Sequence, residues 1–562
     1  MLRGTLSKAM WVGRGAAALF GLAFVGALVL GVAKGISRYR SASSRGVLGM
    51  GKVAVPLAWV ALVLLLTLGL SGSKPRDAEA LTTKPNIVFI LADDMRKDDL
   101  QYMTQTRELF EEQGMSFENA FVSNALCCPS RATIMRGQYS HNTGVWTNGN
   151  STVGGWQAYK RNGGELDNVA TRLAGAGYRT GLFGKYLNGY KATTGKPPGW
   201  YKWFAHVNGI SYYNYQINDD GTTKQYGSTS TDYEVDVIAE QAETFIDTSA
   251  TAGVPFFAYV APIAPHIEEG LGQPVPAPRH EHTFDGLKVP RTLSYNEQDV
   301  SDKPSWIRKA PTLTAAQQAE IDVRHENRAE SLQSVDDLVA EVVGKLSEKN
   351  VLGNTYIFFA SDNGFHEGEH RLKTGKWRPY EEDIHMPLLV LGPGVAPGCA
   401  IGDTLCRTTY ELALNTDYLP TFTDLACAPD PILCETLKTQ NKWYVPDGRS
   451  LRPVLERNVT TTWRNAILLE GAQNTTYVPK SPAYRGIRTV IRDTTTDPPT
   501  ITSGSKYVEY EGTERELYDV GADPLELTNK YVASAPPAEL VSRLQTLKTC
   551  KGDGCRAAED GQ

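Results

Sequence analysis

"NIVFILADD", residues 86–94, opens on Asn86, runs through six apolar residues and stops at two aspartates. The run shows no polar alternation and carries the β-branched residues Ile87, Val88 and Ile90. That pattern predicts a strand buried on both faces, as found inside parallel sheets. An acidic pair just beyond it falls where open α/β sheets bind ligands, outside the carboxyl ends of strands. Working outward, "RTGLFG" (179–184), "PFFAYVAP" (255–262), "TYIFFA" (355–360) and "MPLLVLG" (386–392) predict further strands. Helices are predicted at "TQTRELFEEQG" (104–114, stopped by Gly114), "YEVDVIAEQAETFID" (233–247) and the long segment 319–349. This alternation argues an α/β domain with a mainly parallel sheet sandwiched by helices.

Residues 267–316 are rich in proline and polar groups and predict an irregular surface excursion lining a cleft. After about residue 425 the pattern changes. "YRGIRTVIRD", "SKYVEYEG" and "RELYDV" predict short antiparallel strands, and "PAELVSRLQTLK" a closing helix. The expected division is a targeting segment at 1–80, a catalytic α/β domain at 84–425 and a smaller C-terminal α+β subdomain at 426–562.

The chain has 562 residues, 41% hydrophobic and 21% charged, which excludes a disordered chain. Residues 1–80 hold ten Lys and Arg against Asp77 and Glu79, a net +8 that leaves −14 of the total −6 for the remainder. An acidic body excludes nucleic acid as the expected partner. The basic segment contains two uncharged apolar runs, 15–33 and 53–73. Two readings stand. Both runs span a membrane with the basic loop 34–52 in the cytoplasm. Alternatively, translation starts near Met50 and Ala78-Glu79-Ala80 closes a signal peptide. Either exports the body of the chain. Six cysteines agree, falling as near neighbours: Cys399 and Cys406, Cys427 and Cys434, Cys550 and Cys555. In an exported chain such pairs read as disulfides, with the connectivity open.

Two strands end in acids. Asp93-Asp94 follows the first, and Asp362-Asn363-Gly364 follows "TYIFFAS". If the strands are neighbours, three carboxylates and an amide oxygen converge, a donor set that suits Ca²⁺ or Mg²⁺ better than Zn²⁺. The remaining cysteines, Cys127 and Cys128, are adjacent. Adjacent cysteines reach disulfide geometry only with strain, and their spacing does not suit zinc. Pro129 favours a helix start, so Cys127 is expected at a helix N-terminus, with Arg131 one turn further in. Lys185, His266 and Lys376 each lie beyond a predicted strand end. A divalent ion, an arginine, two lysines and a histidine around one nucleophile can hold a tetrahedral anion and neutralise developing charge.

"CCPSRATIMRGQ" fits the sulfatase signature C-x-P-S-R, and the chain resembles that family over roughly 84–535. "PNIVFILADD", "GLFGKYLNGY", "APIAPH", "FFASDNGFHEG" and "ERELYDVGADPLELTN" accompany it in the family's order. "NALCCPSR" and "GKYLN" look most like the N-acetylglucosamine-6-sulfatase branch. The resemblance implies an alkaline-phosphatase-like fold with bound Ca²⁺. It implies that Cys127 is oxidised to formylglycine by a formylglycine-generating enzyme or its equivalent, with Cys128 in the variable slot. One hydroxyl of the hydrated aldehyde would attack sulfur and expel the alcohol. The second would lose its proton, restore the C=O and eliminate sulfate. Asp93, Asp94, Asp362, Asn363 and the modified Cys127 match the metal ligands. Arg131 would stabilise the hydrate. Lys185, His266 and Lys376 match sulfate-binding and acid–base positions, with His266 or Lys376 as general acid.

One place departs from the pattern. Many arylsulfatases carry a histidine two residues after the lysine, and here Leu187 stands there. That shifts the expected substrate from simple aryl sulfates toward a sulfated saccharide, with Asn188, or His141 and Asn148, as sugar contacts. Two other functions compete. A membrane-anchored phosphodiesterase or phosphoethanolamine transferase of the same superfamily would use Thr or Ser as nucleophile and more histidines than the nine here. A non-catalytic surface carbohydrate-binding protein would not need the nucleophile and ligand positions.

Overall fold

The computed structural model describes residues 83–149, 152–207, 209–459, 463–493 and 500–561. The expected export or membrane segment at 1–80 lies outside the described residues. Among those described, no helix is long and apolar enough to cross a membrane.

The central sheet is built from β1 (Asn86–Ala92), β2 (Met115–Phe117), β3 (Arg179–Gly184), β4 (Lys202–Val207), β5 (Gln216–Asp219), β6 (Thr222–Gln225), β7 (Phe256–Ala261), β8 (Thr355–Ser361), β9 (Leu388–Leu391) and β10 (Thr408–Thr409). Their order is β10-β2-β9-β8-β1-β7-β3-β4-β5-β6. The middle five, β8-β1-β7-β3-β4, run parallel. The margins reverse. β9 is antiparallel to β8, and β5 and β6 are antiparallel to their neighbours. The segment 386–392 is therefore a strand, as expected, but not a parallel one.

Strand β1 explains why its sequence lacks alternation. Ile87, Phe89 and Leu91 point into one core, and Val88, Ile90 and Ala92 into another. The first core is closed by α2 (Cys127–Arg136), α3 (Val169–Gly175) and α6 (Tyr418–Cys427), through residues such as Ala132, Leu173 and Phe422. The second is closed by α1 (Thr104–Gln113), α4 (Glu234–Thr251) and α5 (Ala315–Glu348), through Phe110, Ile238, Val335 and Val342. Full burial contributes about 1.5–3 kcal/mol per large apolar side chain, so the two-sided strand anchors the domain. The segment expected as an irregular excursion is mostly turns, with one short helix at Ser305–Arg308.

The C-terminal subdomain is an antiparallel sheet of β11 (Ala466–Gly471), β12 (Tyr484–Thr489), β13 (Ser505–Tyr510) and β14 (Arg515–Asp519). Helix α7 (Ala538–Leu547) packs on it through Leu544 and Leu547. Its core is shared with Phe121, Val122 and Tyr139 from the first part of the chain. Three disulfides form, Cys399–Cys406, Cys427–Cys434 and Cys550–Cys555, and each closes a short local loop.

His385 marks this junction. Its ring stacks on Phe121 at 4.6 Å, and its Nε2–H donates to the Glu118 carbonyl at 2.7 Å. Burial, helped by the charge of Lys97, holds its pKa down at about 3. The unfolded chain protonates this group near 6.5, so its contribution to stability is lost as pH falls from about 6.5 toward 3. The melting temperature of His385→Gln is therefore expected to fall less than that of the wild type between pH 7 and pH 4.5. Identical pH slopes would remove His385 from the acid response.

Candidate active site

The site is made by register. β1 and β8 are adjacent and parallel, and Ala92 pairs with Ser361. The next residues, Asp93 and Asp362, therefore emerge side by side. Asp94 turns back with φ of 67°, a left-handed conformation uncommon outside glycine. Its backbone N–H donates to Asp362 Oδ1 at 3.1 Å, and Asn363 Nδ2 donates to Asp94 Oδ1 at 2.7 Å. Lys185 follows β3 on the same rim, where its backbone N–H bonds to Ala261 of β7. His266 sits five residues past the end of β7.

Helix α2 delivers the cysteine. It starts at Cys127, two residues before the proline expected to begin it, and ends at Gly137 with φ of 62°. Cys127 is fully buried in the first turn. Its Sγ lies 3.6 Å from Asp93 Oδ1 and 3.8 Å from Asp94 Oδ1. Lys376 Nζ donates to that sulfur at 2.7 Å and also pairs with Asp94 Oδ1. Lys185 Nζ pairs with Asp93 Oδ2. Arg131 spans the group, with Nε 2.7 Å from Asp362 Oδ2 and one guanidinium nitrogen donating to the Lys185 carbonyl at 2.9 Å. His266 Nε2 stands 3.5 Å from Asp94 Oδ2, while its Nδ1 bonds to the Ile267 carbonyl at 2.6 Å.

The electrostatics follow from burial and pairing. Burial alone would raise the Asp93 carboxyl, but Lys185, His266 and Arg131 hold it down at about 2. Burial pushes the Cys127 thiol up to about 12, against Lys185 and Lys376. An unmodified thiol here is neutral at pH 7. Burial also lowers the His266 imidazole, against the pull of Asp94 and Asp93.

Three carboxylates thus face three fixed cations, Arg131, Lys185 and Lys376, so the cluster carries no net positive charge to hold an anion. Asp94 Oδ2 and Asn363 Oδ1 are buried and accept no hydrogen bond among the described residues. Two orphaned hard oxygens beside Asp93, Asp362 and residue 127 fit a divalent, oxygen-loving cation such as Ca²⁺. The proximity of Asp93, Asp94, Cys127 and His266 is compatible with that.

A buried ionic layer lies behind the acids. Arg328 of α5 donates to the Asp94 carbonyl at 2.8 Å and pairs with Asp99 at 2.5 Å. Its Nε lies 3.7 Å from Glu367, which also receives His325 at 2.8 Å. The sequence pattern of α5 did not mark these residues, because charged positions on a long helix ordinarily face water.

The expected sugar contacts fare differently. Asn148 Oδ1 accepts the Cys128 N–H at 2.8 Å, capping a donor that the first turn of α2 leaves free. Asn188 is partly exposed, and its carbonyl accepts the Trp156 N–H. His141 is not available to a sugar: one ring nitrogen pairs with Glu470 at 3.0 Å and the other with the Cys550 carbonyl at 2.9 Å. Tyr477 was missed. It belongs to the hairpin between β11 and β12, and its ring lies against Gly375, next to Lys376. Burial raises its phenol, and the neighbouring Lys376 pulls it down. No local sequence signal marks it.

Comparison with known proteins agrees with this geometry. The sulfatase family model matches residues 85–428. N-acetylglucosamine-6-sulfatase of Homo sapiens is 33% identical over 508 residues, covering 84% of this chain and 86% of that protein. An arylsulfatase of Volvox carteri is 32% identical over 533 residues, covering 88% and 79%. A solved structure described as in complex with its substrate D-glucosamine-2-N,6-O-disulfate superposes with a TM-score of 0.66 at 22% identity, covering 85% of this chain and 100% of that one. The alkaline-phosphatase-like fold, the strand-end acids and these relatives converge: the chain belongs to the sulfatase family and is a sulfuric ester hydrolase.

Proposed function

We propose that the protein hydrolyses sulfate monoesters of saccharides, with residue 127, oxidised to formylglycine, as the nucleophile. The observation that carries this is the placement of Cys127: first turn of α2, fully buried, between two carboxylates and the Lys376 ammonium. A thiol pushed to about 12 is a poor nucleophile there. The aldehyde hydrate would supply two hydroxyls on one carbon, one to displace the alcohol from sulfur and one to release sulfate by restoring the C=O.

Asp93, Asp94, Asp362 and Asn363, with residue 127, would hold Ca²⁺, which supplies positive charge to the sulfate oxygens. Arg131 bridges Asp362 and the Lys185 carbonyl, so its guanidinium is locked and can steady the oxygens on residue 127. Lys185 and Lys376 offer ammonium donors from two sides of the nucleophile. They are charged at neutral pH, because Asp93 and Asp94 outweigh the burial that would lower them. His266 is our general acid. Its Nδ1–H donates to the Ile267 carbonyl, so Nε2, the nitrogen that faces the cluster, is the one that exchanges a proton with the leaving oxygen, and it carries that proton only in the imidazolium form.

The saccharide preference rests on two supports. The place of the histidine common in arylsulfatases is taken by Leu187, which is buried and offers no donor. The human relative is named for a sugar 6-sulfate. Export, with the N-terminal segment as signal or anchor, is supported by three disulfides, which persist in oxidising compartments.

In active purified protein the peptide containing Cys127 is expected about 18 Da lighter than its unmodified mass, read by mass spectrometry in the aldehyde form. A free thiol in fully active protein would refute the nucleophile. Asp362→Ala should weaken Ca²⁺ binding to the chelator-stripped protein by more than about 10-fold, measured by calorimetry, with turnover falling alongside. Unchanged Ca²⁺ affinity would show that the ion lies elsewhere.

A further inference from the structure

Most of the family motifs lie in the first part of the chain, but a wall beside Lys376 comes from the C-terminal subdomain. The hairpin 472–483 links β11 to β12, and one buried amide shapes its tip. Asn474 Oδ1 accepts the N–H groups of Thr476 at 3.0 Å and Tyr477 at 2.9 Å. Its Nδ2 donates to the carbonyls of Tyr477 at 2.9 Å and Pro479 at 3.3 Å. Asn474 and Ser481 also exchange backbone hydrogen bonds.

That tip is tied to the lysine segment. Arg378 is buried two residues after Lys376 and donates to Ser481 Oγ at 3.0 Å and to the Pro479 carbonyl at 2.5 Å. Its own N–H is held by Asp383 at 2.8 Å, and Asp383 also holds His366, which pairs through its backbone with Gly375. Gly375 has φ of 145°, and a Cβ placed on it would sit 2.6 Å from Tyr477 Cδ1. The tyrosine ring therefore occupies the space a side chain at 375 would need.

Asp93, Asp94, Cys127, Arg131, Asp362 and Lys376 are all fully buried, whereas Tyr477 and His266 keep partial exposure. The charged floor can hold only the SO₃ group. The alcohol being released must extend past the partly exposed groups. A tyrosine offers such an alcohol an apolar ring face for a pyranose and a hydroxyl for a sugar oxygen. Beyond it, Val478 is 77% exposed and Lys480 is exposed, so the tip continues outward.

We propose that Tyr477 is a specificity-determining residue: it receives the sugar of the leaving group, and the hairpin 472–483 is the leaving-group wall of the site. This rests on the saccharide reading above. A small aryl leaving group passes the same residues but brings no sugar hydroxyls and less surface to the hairpin, so it depends less on the wall.

The test uses the full-length mature enzyme with a panel of sulfated saccharides that includes N-acetylglucosamine 6-sulfate, and with 4-nitrophenyl sulfate. For the best saccharide, Tyr477→Ala should raise KM by about 10-fold with kcat within about 2-fold, the signature of lost ground-state and transition-state binding in equal measure. KM for the aryl ester should stay within about 2-fold, which also reports an intact fold. Tyr477→Phe keeps the ring and should fall between the two. Saccharide kinetics indifferent to Tyr477→Ala, or equal losses on both substrates, would overturn the role of Tyr477 and leave the saccharide reading standing. A wild type that cleaves the aryl ester and none of the saccharides would sink that reading and the role of Tyr477 together.

Discussion

Three carboxylates brought into one dry place by the pairing of β1 with β8 set the terms for the rest of this molecule. The register Ala92–Ser361 forces Asp93 and Asp362 together, and the reversed backbone at Asp94 adds the third. Like charges so close cannot all stay ionised without cations. The structure answers with Arg131 from α2, Lys185 from β3 and Lys376 from the loop after β8, each reaching in from a different element. The parallel core of the sheet makes this possible, because only parallel neighbours present their carboxyl ends on one rim.

The ionic layer behind the acids extends the same logic. Arg328 grips the carbonyl of Asp94, and Asp99, Glu367 and His325 surround it, all buried. Buried ion pairs of this kind contribute little net stability, because desolvation offsets attraction. Their value lies in fixing position. Asp94 is in a conformation that non-glycine residues rarely adopt, and an arginine on its carbonyl holds the turn that aims its carboxylate.

Much of this was legible in the chain. β1, β3, β7 and β8 each switch abruptly from apolar residues to a charged or special group, and that switch located Asp93, Asp94, Lys185, Asp362 and His266. Other features had no such mark. An apolar run does not state its direction, so the antiparallel course of β9 was hidden. β6, "TTKQ", is exposed along its length and carries no hydrophobic signal. Arg328 and His325 lie on a long helix, where charged positions ordinarily face water. Asn148 Oδ1 caps a helix start twenty residues earlier in the chain, a use that no local pattern announces. Tyr477 enters the site through a tertiary tether from Arg378, about a hundred residues upstream, which no local pattern records.

The depth of Cys127 carries a further consequence for the life of the protein. Every residue from Cys127 to Met135 is shielded from water once α2 has docked. A second protein cannot grasp that thiol through the closed shell. If Cys127 is oxidised as proposed, the enzyme acting on it would have to reach the thiol before α2 docks, so the order of events at synthesis, and not the finished enzyme's surface, would govern whether a given molecule becomes active.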